Sequence, residues 1–438
     1  MFQWIVDQVT KLKDNFLTRV LGTLSDKEVE RAFLGFSERE RTYHTLPLFK
    51  TFLGQVICGD SCRQAIERGI DQGWLRRSVS PKTSAYCNAR TRLPEIPLRE
   101  LAFRVGTRLA AALPERKRFM RRPVRVVDGT STQLPDTPAN QIEYPQPTSQ
   151  AKGCGFPLMH FAALMDLDTG GILDLDTWPE GDSERSTFRV MWRSLKKGDI
   201  VLGDGGLGSF ADMALLAKRG VDSVFDAGQR KFDLPLGDHR VILTRPDQLG
   251  YWVKAKDLPE ELEVRVIRFK GKLPGGRKAI ITLMTTLLDE KRYSKRKLMR
   301  LYRRRWEMEL RLRDIKTTMG LERLHLHTPE GCLKELWMGI LAYNLIRSVM
   351  CAAAQRVKKS VSRISFAGTL HRLSAFGMGQ LRQKDPHGTW DLLLEHVAED
   401  LLPLRPNRVE PRKLKRRPKP YPLLTQPRQL ERAQLLAG

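Results

Sequence analysis

The chain has 438 residues, with 76 Lys and Arg against 50 Asp and Glu, which gives a formal net charge of +26. Its hydrophobic content of 41% is enough to build buried cores and excludes a wholly disordered chain. At about 150 residues per domain, the length predicts two or three domains. The excess positive charge predicts a polyanionic partner, which is either a nucleic acid or an anionic membrane surface.

Two apolar segments bear on the membrane alternative. Residues 1–21 alternate apolar side chains with Asp and Lys, which is typical of an amphipathic helix and not of a secretory signal. The most apolar stretch, 336–354, is interrupted by Asn344 and Arg347, which favours a buried helix over a membrane span. We therefore expect a cytoplasmic protein with no membrane partner, and nucleic acid remains as the expected polyanion.

The cysteines indicate no disulfide framework. A chain of this size does not need such bridges, and a reducing compartment is the simpler interpretation. Cys58 and Cys62 have helical i, i+4 spacing, but their surroundings resemble a buried helix face, and the nearest His is His44. We therefore expect reduced core thiols here and not a zinc site.

Residues 1–115 are predicted to form a helical N-terminal DNA-binding domain. Apolar residues recur at helical spacing over 48–57 and 98–109, and prolines at 81 and 94 mark helix boundaries. Basic residues cluster along this segment, and they belong either to a solvated helical face or to a DNA-contacting face. They are Arg76, Arg77, Lys82, Arg90, Arg92, Arg99 and the run from Arg116 to Arg122.

The pattern changes at Pro123 to one that predicts an α/β domain over 116–227 and 289–357. The first predicted strand ends at Asp128-Gly129 and the fourth ends at Asp204. The order is β-β-β-α-β-α-β, with acids closing the first and fourth strands. The predicted elements are strands 124–129, 158–164, 172–178, 200–204 and 221–225, and helices 184–195 and 210–218.

Three further segments complete the predicted organisation. Residues 228–288 contain strand-like runs separated by glycine and proline turns, which predicts a β-rich insertion. Helices are predicted from Ser294 to about residue 357. Residues 358–438 are predicted as a C-terminal helical region with a basic, proline-rich tail. The tail, 401–438, is expected to be an extended arm because its composition cannot pack a core.

The segment from Tyr302 to Lys316 suggests the chemistry. At 100° per residue, four side chains fall within about 60° of one another on a helix. They are Tyr302, Arg305, Glu309 and Lys316, and an apolar stripe of Leu301, Met308, Leu312 and Ile315 runs beside them. With Asp128 and Asp204 the chain offers three carboxylates, which can hold two divalent ions for phosphodiester chemistry.

Each residue also has a plainer interpretation. Asp128 alone could cap a strand, Asp204 could belong to a glycine-rich turn, and Glu309 could form a surface salt bridge. In this strand order, however, the three together predict an RNase H-like metal site, for which oxygen ligands select Mg²⁺ or Mn²⁺. The remaining acids of this region are expected to be edge and turn residues: Asp166, Asp168, Asp174 and Asp176.

The spacing Y-x₂-R-x₃-E-x₆-K, filled by Tyr302, Arg305, Glu309 and Lys316, resembles the signature of DDE transposases of the insertion-sequence-four family. Stretches elsewhere are similar to that family as well, and the resemblance spans roughly residues 20–375. They are 84–90 (SAYCNAR), 127–130 (VDGT), 134–138 (LPDTP), 285–289 (TTLLD) and 342–347 (AYNLIR).

The resemblance implies a fold, a reaction and roles for named residues. The fold would be an RNase H-like mixed sheet with a β-rich insertion, between an all-helical N-terminal domain and a helical, basic C-terminal region. Asp128, Asp204 and Glu309 would bind two Mg²⁺ or Mn²⁺ ions and catalyse nicking at the ends of the element, followed by attack of the 3′-hydroxyl on target DNA. The residues expected to contact DNA are Tyr302, Arg303, Arg304, Arg305, Lys316 and Trp252.

The resemblance also implies partners. They are double-stranded DNA, as terminal inverted repeats and target, and a second copy of the chain in a homodimer that cuts in trans. The location would be bacterial cytoplasm, associated with the nucleoid. Trp252 and Tyr251 are stacking candidates for a flipped base, although a core position is the simpler interpretation of Trp252.

Two other functions fit parts of the pattern. An RNase H-like nuclease, such as a junction resolvase, would use the same acids but would not require the long insertion or the Tyr-Arg-Glu-Lys segment. A DNA-binding regulator or inactive remnant would use only the basic helices and tail. The presence of all three acids favours the transposase.

Overall fold

A computed structural model describes residues 24–36, 42–228, 230–272, 278–379, 386–404 and 422–437. The amphipathic helix predicted over residues 1–21 lies outside the described residues. Within the described ranges, helices precede, cover and follow one large mixed sheet.

In the described residues, five α-helices precede the first strand. Ser61 begins the third with a capping box, because its hydroxyl accepts a hydrogen bond from the Gln64 N–H while the Gln64 side chain accepts one from the Ser61 N–H. Gly59, in the left-handed region at φ +66°, ends the second. The helices are α1 (Asp26–Ala32), α2 (Thr45–Cys58), α3 (Cys62–Asp71), α4 (Thr83–Arg92) and α5 (Glu95–Ala111).

Eight strands form the sheet: β1 (Val124–Gln133), β2 (Leu158–Asp166), β3 (Ile172–Trp178), β4 (Ile200–Gly203), β5 (Asp222–Asp226), β6 (Gly237–Thr244), β7 (Glu261–Lys272) and β8 (Lys278–Thr285). Their order across the sheet is β3-β2-β1-β4-β5-β8-β7-β6. β1, β4 and β5 run parallel, and the other neighbours pair antiparallel. This α/β arrangement is consistent with an RNase H-like fold.

The helices between these strands are α6 (Pro138–Glu143), α7 (Glu184–Val190) and α8 (Phe210–Lys218). The sequence predicts α7 and α8 but not α6, which lies between β1 and β2. α7 is shorter than the predicted helix over 184–195, because its last turns tighten into a 3₁₀ segment over Met191–Ser194. The Ser183 hydroxyl caps α7 by accepting a hydrogen bond from the Arg185 N–H.

The predicted insertion, 228–288, is rich in strands but forms no separate layer in its described part. β8 pairs antiparallel with β5, with Val224 opposite Thr285, and β7 and β6 follow outward. The buried side chains of β7 and β8, among them Val264, Val266 and Met284, pack in the same core as α7 and α8. The insertion therefore extends the central sheet.

The remaining helices are α9 (Lys295–Arg303), α10 (Trp306–Arg313), α11 (Pro329–Arg356), α12 (Phe366–Gly379), α13 (Pro386–Glu399) and α14 (Arg428–Ala437). Among the described residues, α11 is the helix long and apolar enough to cross a membrane, and its apolar stretch is wholly buried inside the protein. The prediction of a buried helix there is confirmed. The predicted extended tail is wrong over 428–437, which is helical, whereas 405–421 lie outside the described residues.

One hydrophobic core joins the N-terminal helices to α11. Asn344 of α11 donates hydrogen bonds to the carbonyls of Ala102 (2.9 Å) and Ile172 (3.0 Å) and accepts one from the Ile172 N–H (2.8 Å). Near the other end of α5, the Trp337 indole donates to Glu95 at 2.6 Å. α5, β3 and α11 are therefore packed as one unit.

Asp166 lies at the β2–β3 turn and Asp174 on the edge strand β3, as expected, and both are buried in ion pairs, with Arg125 (2.6 Å) and Arg193 (2.8 Å). Burial without such partners would be too costly for these carboxylates. Arg90, expected on a basic face, is buried: its guanidinium donates to the Gln55 side chain at 2.9 Å. Arg90 therefore does not contribute to an exposed DNA-contacting face.

The cysteines are free thiols, as expected. The prediction that Cys58 and Cys62 share one helix is wrong, because α2 ends at Cys58 and α3 begins at Cys62. The Cys62 sulfur instead lies 3.8 Å from that of Cys87, and the Arg90 guanidinium donates to both.

Candidate active site

Asp128 and Asp204 lie side by side because of the sheet register. β1 and β4 are parallel neighbours with Val126 opposite Leu202. Two residues after this pair, one segment carries Asp128 and the other Asp204. Neighbouring strands are about 5 Å apart, which places the two carboxylates at one edge of the sheet. The Asp128 Oδ1 accepts from the Gly129 N–H at 3.0 Å, and the Asp204 Oδ1 accepts from the Gly206 N–H at 2.9 Å.

The segment carrying the third acid is not the continuous helix that the sequence predicts. α9 ends at Arg303 and α10 begins at Trp306, with tight i→i−3 bonds at Arg304 and Arg305 between them. A π-helical turn, Asp314–Thr318, follows α10. The predicted apolar stripe is nevertheless confirmed, since Leu301, Met308, Leu312 and Ile315 are all buried.

Arg305 joins Asp128 of β1 to Glu309 of α10. Its Nη1 lies 3.4 Å from the Asp128 Oδ2, and its Nη2 lies 3.4 Å from the Glu309 Oε1. From the π-helical turn, Lys316 Nζ donates to the Thr130 hydroxyl at 3.1 Å. These side chains surround an open cleft of about 570 Å³, lined by Asp128, Gly129, Thr130, Asp204, Arg305, Glu309, Leu312, Arg313, Lys316, Thr317 and Glu322.

Carboxylates are crowded at the edge of the sheet beside this cleft. Burial raises the pKa of Asp128, and the nearby Asp204 adds to the rise, while Arg305 and the Gly129 N–H oppose it. Burial and the charges of Asp204 and Asp128 raise the pKa of Glu184 to about 7. Such mutual repulsion favours a bound cation.

The sequence profile of the transposase DDE domain family matches residues 120–345, more than half of the chain, and these residues include all three acids. The chain belongs to the DDE transposase family. It is also 28% identical over 313 residues to the transposase InsG for insertion sequence element IS4 of Escherichia coli, a match that covers 68% of each chain. The resemblance to insertion-sequence-four transposases is thereby confirmed, and it makes this chain a polynucleotidyl-transferase type of enzyme that acts on DNA.

Tyr302, at the end of α9, lies on the same side of the transposase as Arg305. The Arg305 guanidinium is 5.9 Å from the centre of the Tyr302 ring. Burial, together with the negative charge of Asp226, raises the pKa of the phenol, so its hydroxyl keeps its proton as a donor. Four of the predicted residues, Tyr302, Arg305, Glu309 and Lys316, are thus brought together despite the break in the helix.

The structure places the other predicted DNA contacts apart from the cleft lining. Arg303 is exposed, whereas Arg304 forms ion pairs with Asp168 and Glu307, each at 2.8 Å. Trp252 is partly buried and packs against Trp192 at the margin of a hydrophobic core, and the Arg189 guanidinium lies 3.4 Å from the centre of its ring. A core position is therefore the better description of Trp252.

The donor set of the transposase fits a hard divalent ion. Asp128, Asp204 and Glu309 offer only oxygen ligands, as Mg²⁺ and Mn²⁺ prefer. In the described part of the chain, no three His, Cys, Asp or Glu side chains are grouped tightly enough to hold one ion, and Arg305 lies between Asp128 and Glu309. These acids would have to reorient their side chains before they could share an ion.

Two acids near the cleft escaped the sequence analysis. Asp226 ends β5, the next parallel strand after β4, and its charge acts on Tyr302 and Arg305. It comes at the end of an apolar strand as Asp204 does, a signal that could have found it had the strand not been predicted to end at Phe225. Glu184 begins α7, and its sequence neighbours carry no comparable signal.

Proposed function

We propose that this transposase moves an insertion sequence by binding its terminal inverted repeats, cleaving phosphodiester bonds at the ends and joining the freed 3′-hydroxyls to target DNA. The observation that carries the proposal is the meeting of Asp128, Asp204 and Glu309 at one open cleft with two cations, Arg305 and Lys316. A phosphodiester needs both kinds of group, because acids bind the catalytic metals and cations bind the phosphate oxygens.

Each side chain has a proposed role in this cleft. Asp128, Asp204 and Glu309 would hold two divalent ions, which supply activation of the attacking hydroxyl and stabilisation of the leaving oxygen. Arg305 would exchange its contacts with Asp128 and Glu309 for nonbridging phosphate oxygens, for which its planar guanidinium suits two parallel bonds. Lys316, held beside Thr130, would bind a second phosphate as a point charge.

The rest of the basic surface would bind the DNA backbone. Arg76, Arg77, Lys82 and Arg92 are exposed on or beside the N-terminal helices, and the net charge of +26 favours a long duplex contact. The transposase would assemble as a homodimer on two ends and cut in trans.

The test uses the purified full chain, DNA carrying the ends of its element, and Mg²⁺. Asp128→Asn, Asp204→Asn and Glu309→Gln should each lower strand cleavage by at least about a thousandfold, because each removes a catalytic group. Binding to the ends, measured by gel shift, should persist. Glu143→Gln, an exposed acid of α6, is the control and should cleave normally.

The outcomes separate the alternatives. Cleavage that survives all three substitutions would contradict the site, and cleavage without joining to a target would indicate a nuclease. Binding without any cleavage by the unaltered protein would indicate a DNA-binding regulator.

A further inference from the structure

Two cysteines of the N-terminal helices lie in direct sulfur contact. Cys62 is the first residue of α3, Cys87 lies within α4, and their sulfur atoms are 3.8 Å apart. A disulfide holds its sulfurs about 2.05 Å apart, so a bond between these two requires an approach of only about 1.8 Å. Both side chains are partly exposed, so a small molecule in solution can reach them.

A buried cation lies against both sulfurs. Arg90 is only 6% exposed, and its Nη2 donates to the Cys62 sulfur at 3.1 Å and to the Cys87 sulfur at 3.4 Å. Its Nη1 donates to the Gln55 side chain at 2.9 Å, and its guanidinium carbon lies 4.7 Å from the centre of the Tyr86 ring. The two thiols are therefore the ionisable acceptors that this guanidinium meets through hydrogen bonds.

No carboxylate of the described residues neutralises this cation. Arg90 forms no ion pair with any Asp or Glu that the structure describes, and its Nε is buried without a hydrogen-bond partner. A buried charge without a counterion is costly, and a thiolate in contact with it would supply one. The arrangement thus favours ionisation of an adjacent cysteine, and the thiolate is the nucleophilic form of the side chain.

The two thiols are not equivalent. Cys62 makes the shorter contact with Arg90, and it begins α3, where the positive end of the helix dipole also favours a negative charge. Burial raises the pKa of the Cys87 thiol, although the hydrogen bond from Arg90 opposes the rise. Cys62 is therefore the better nucleophile, and Cys87 is placed to react with it afterwards.

We propose that Cys62 and Cys87 are an oxidation site, at which a hydroperoxide closes a disulfide between α3 and α4. The Cys62 thiolate attacks one peroxide oxygen, the O–O bond breaks, and water or an alcohol leaves with the proton that the thiol gave up. The Cys87 sulfur then attacks the sulfur of the resulting sulfenic acid, the S–O bond breaks, and water leaves with the Cys87 proton. The thiol pair loses two electrons and the peroxide gains them.

The experiment maps the oxidised cysteines of the unaltered protein. The reduced full chain is treated with hydrogen peroxide, its remaining thiols are alkylated, and the chain is digested without reductant for mass spectrometry. The peptides of Cys62 and Cys87 should be joined, with a mass two hydrogens below their sum. Cys62 should be oxidised at least about tenfold faster than Cys154, which is also partly exposed, because reactivity follows the thiolate fraction.

Substitutions separate the two steps. Cys87→Ser should stop the reaction at a sulfenic acid on Cys62, which dimedone traps, whereas Cys62→Ser should slow oxidation of Cys87 at least about tenfold. Arg90→Gln, which removes the buried charge, should slow oxidation of Cys62 by a similar factor. Cys154→Ser is the matched control and should form the same disulfide at the same rate.

Three results would overturn the proposal. They are oxidation of Cys62 no faster than that of Cys154, a disulfide that joins two copies of the chain in place of Cys62 and Cys87 of one copy, and a Cys87→Ser protein that yields no dimedone adduct at Cys62. The peptide map and the cysteine variants decide the question even if Arg90→Gln does not fold. None of these readouts uses DNA or a metal, so the inference stands or fails independently of the proposed transposition reaction.

Discussion

Replacing Asp314 with Asn should stabilise this protein at neutral pH. Asp314 begins the π-helical turn that carries Lys316, and burial raises the pKa of its carboxyl to about 6, although Arg347, Arg313 and Arg311 oppose the rise. An aspartate in the unfolded chain has a pKa of about 3.9. The folded state therefore holds the proton more tightly, and ionisation of Asp314 costs folding free energy.

The size and sign of this cost follow from the two pKa values. A difference of about two units corresponds to at most about 3 kcal/mol at pH 8, where the carboxyl is ionised in both states. The cost is about half as large at pH 5 and vanishes only below about pH 3, where the carboxyl is protonated in both states. Asp314→Asn should raise the free energy of unfolding by the same amounts, because the amide carries no charge at any of these pH values.

Urea denaturation at pH 8 and pH 5 measures the difference. The control is Asp247→Asn, which removes an exposed charge and should change the free energy of unfolding by less than about 0.5 kcal/mol at either pH. A gain for Asp314→Asn that is equal at both pH values would refute the reasoning, and so would a loss of stability at pH 8.

Three further outcomes are expected. Asn344→Leu should destabilise the protein by about 3 kcal/mol or more in urea, because backbone groups of Ala102 and Ile172 would lose buried partners. Arg125→Met should cost about 3–5 kcal/mol in the same assay, since it breaks a buried pair with Asp166; a cost below 1 kcal/mol would show that Arg118 alone satisfies this acid. Binding to DNA, followed by fluorescence anisotropy, should weaken with salt by about 0.9 log units per tenfold salt for each phosphate neutralised, and a flat titration would contradict the basic surface.

The features of the site that could be predicted are those that depend only on residues close together in the sequence. Asp128 and Asp204 each follow a short apolar run, and parallel pairing of β1 with β4 then brings them together. The apolar stripe beside Glu309 likewise follows from helical periodicity, and it is buried as predicted. The prediction that the first strand ends at Asp128-Gly129 is wrong, because β1 continues through Asp128 to Gln133 and pairs with β2 along that length.

The part that could not be predicted depends on distant partners. The break after Arg303 contains no Gly or Pro, and it lies where Arg304 forms ion pairs with Asp168, far away in sequence, and with Glu307. Glu184 reaches the site only because α7 packs against the loop after Asp204. From the sequence alone Arg90 resembles an exposed basic residue, but in the structure Gln55 and Tyr86 enclose it.

α11 packs against the N-terminal helices, so the protein cannot be divided at residue 115 without exposing a buried surface. One face of this helix meets α5 through Trp337 and Asn344, and its buried length continues to α13. In a fragment of residues 1–115, the apolar side of α5 would be exposed to water. In a fragment beginning at residue 116, the side of α11 that packs against α5 would be exposed instead. If the N-terminal helices bind DNA as we propose, the bound DNA would be fixed through this shared core to the domain that carries Asp128, Asp204 and Glu309.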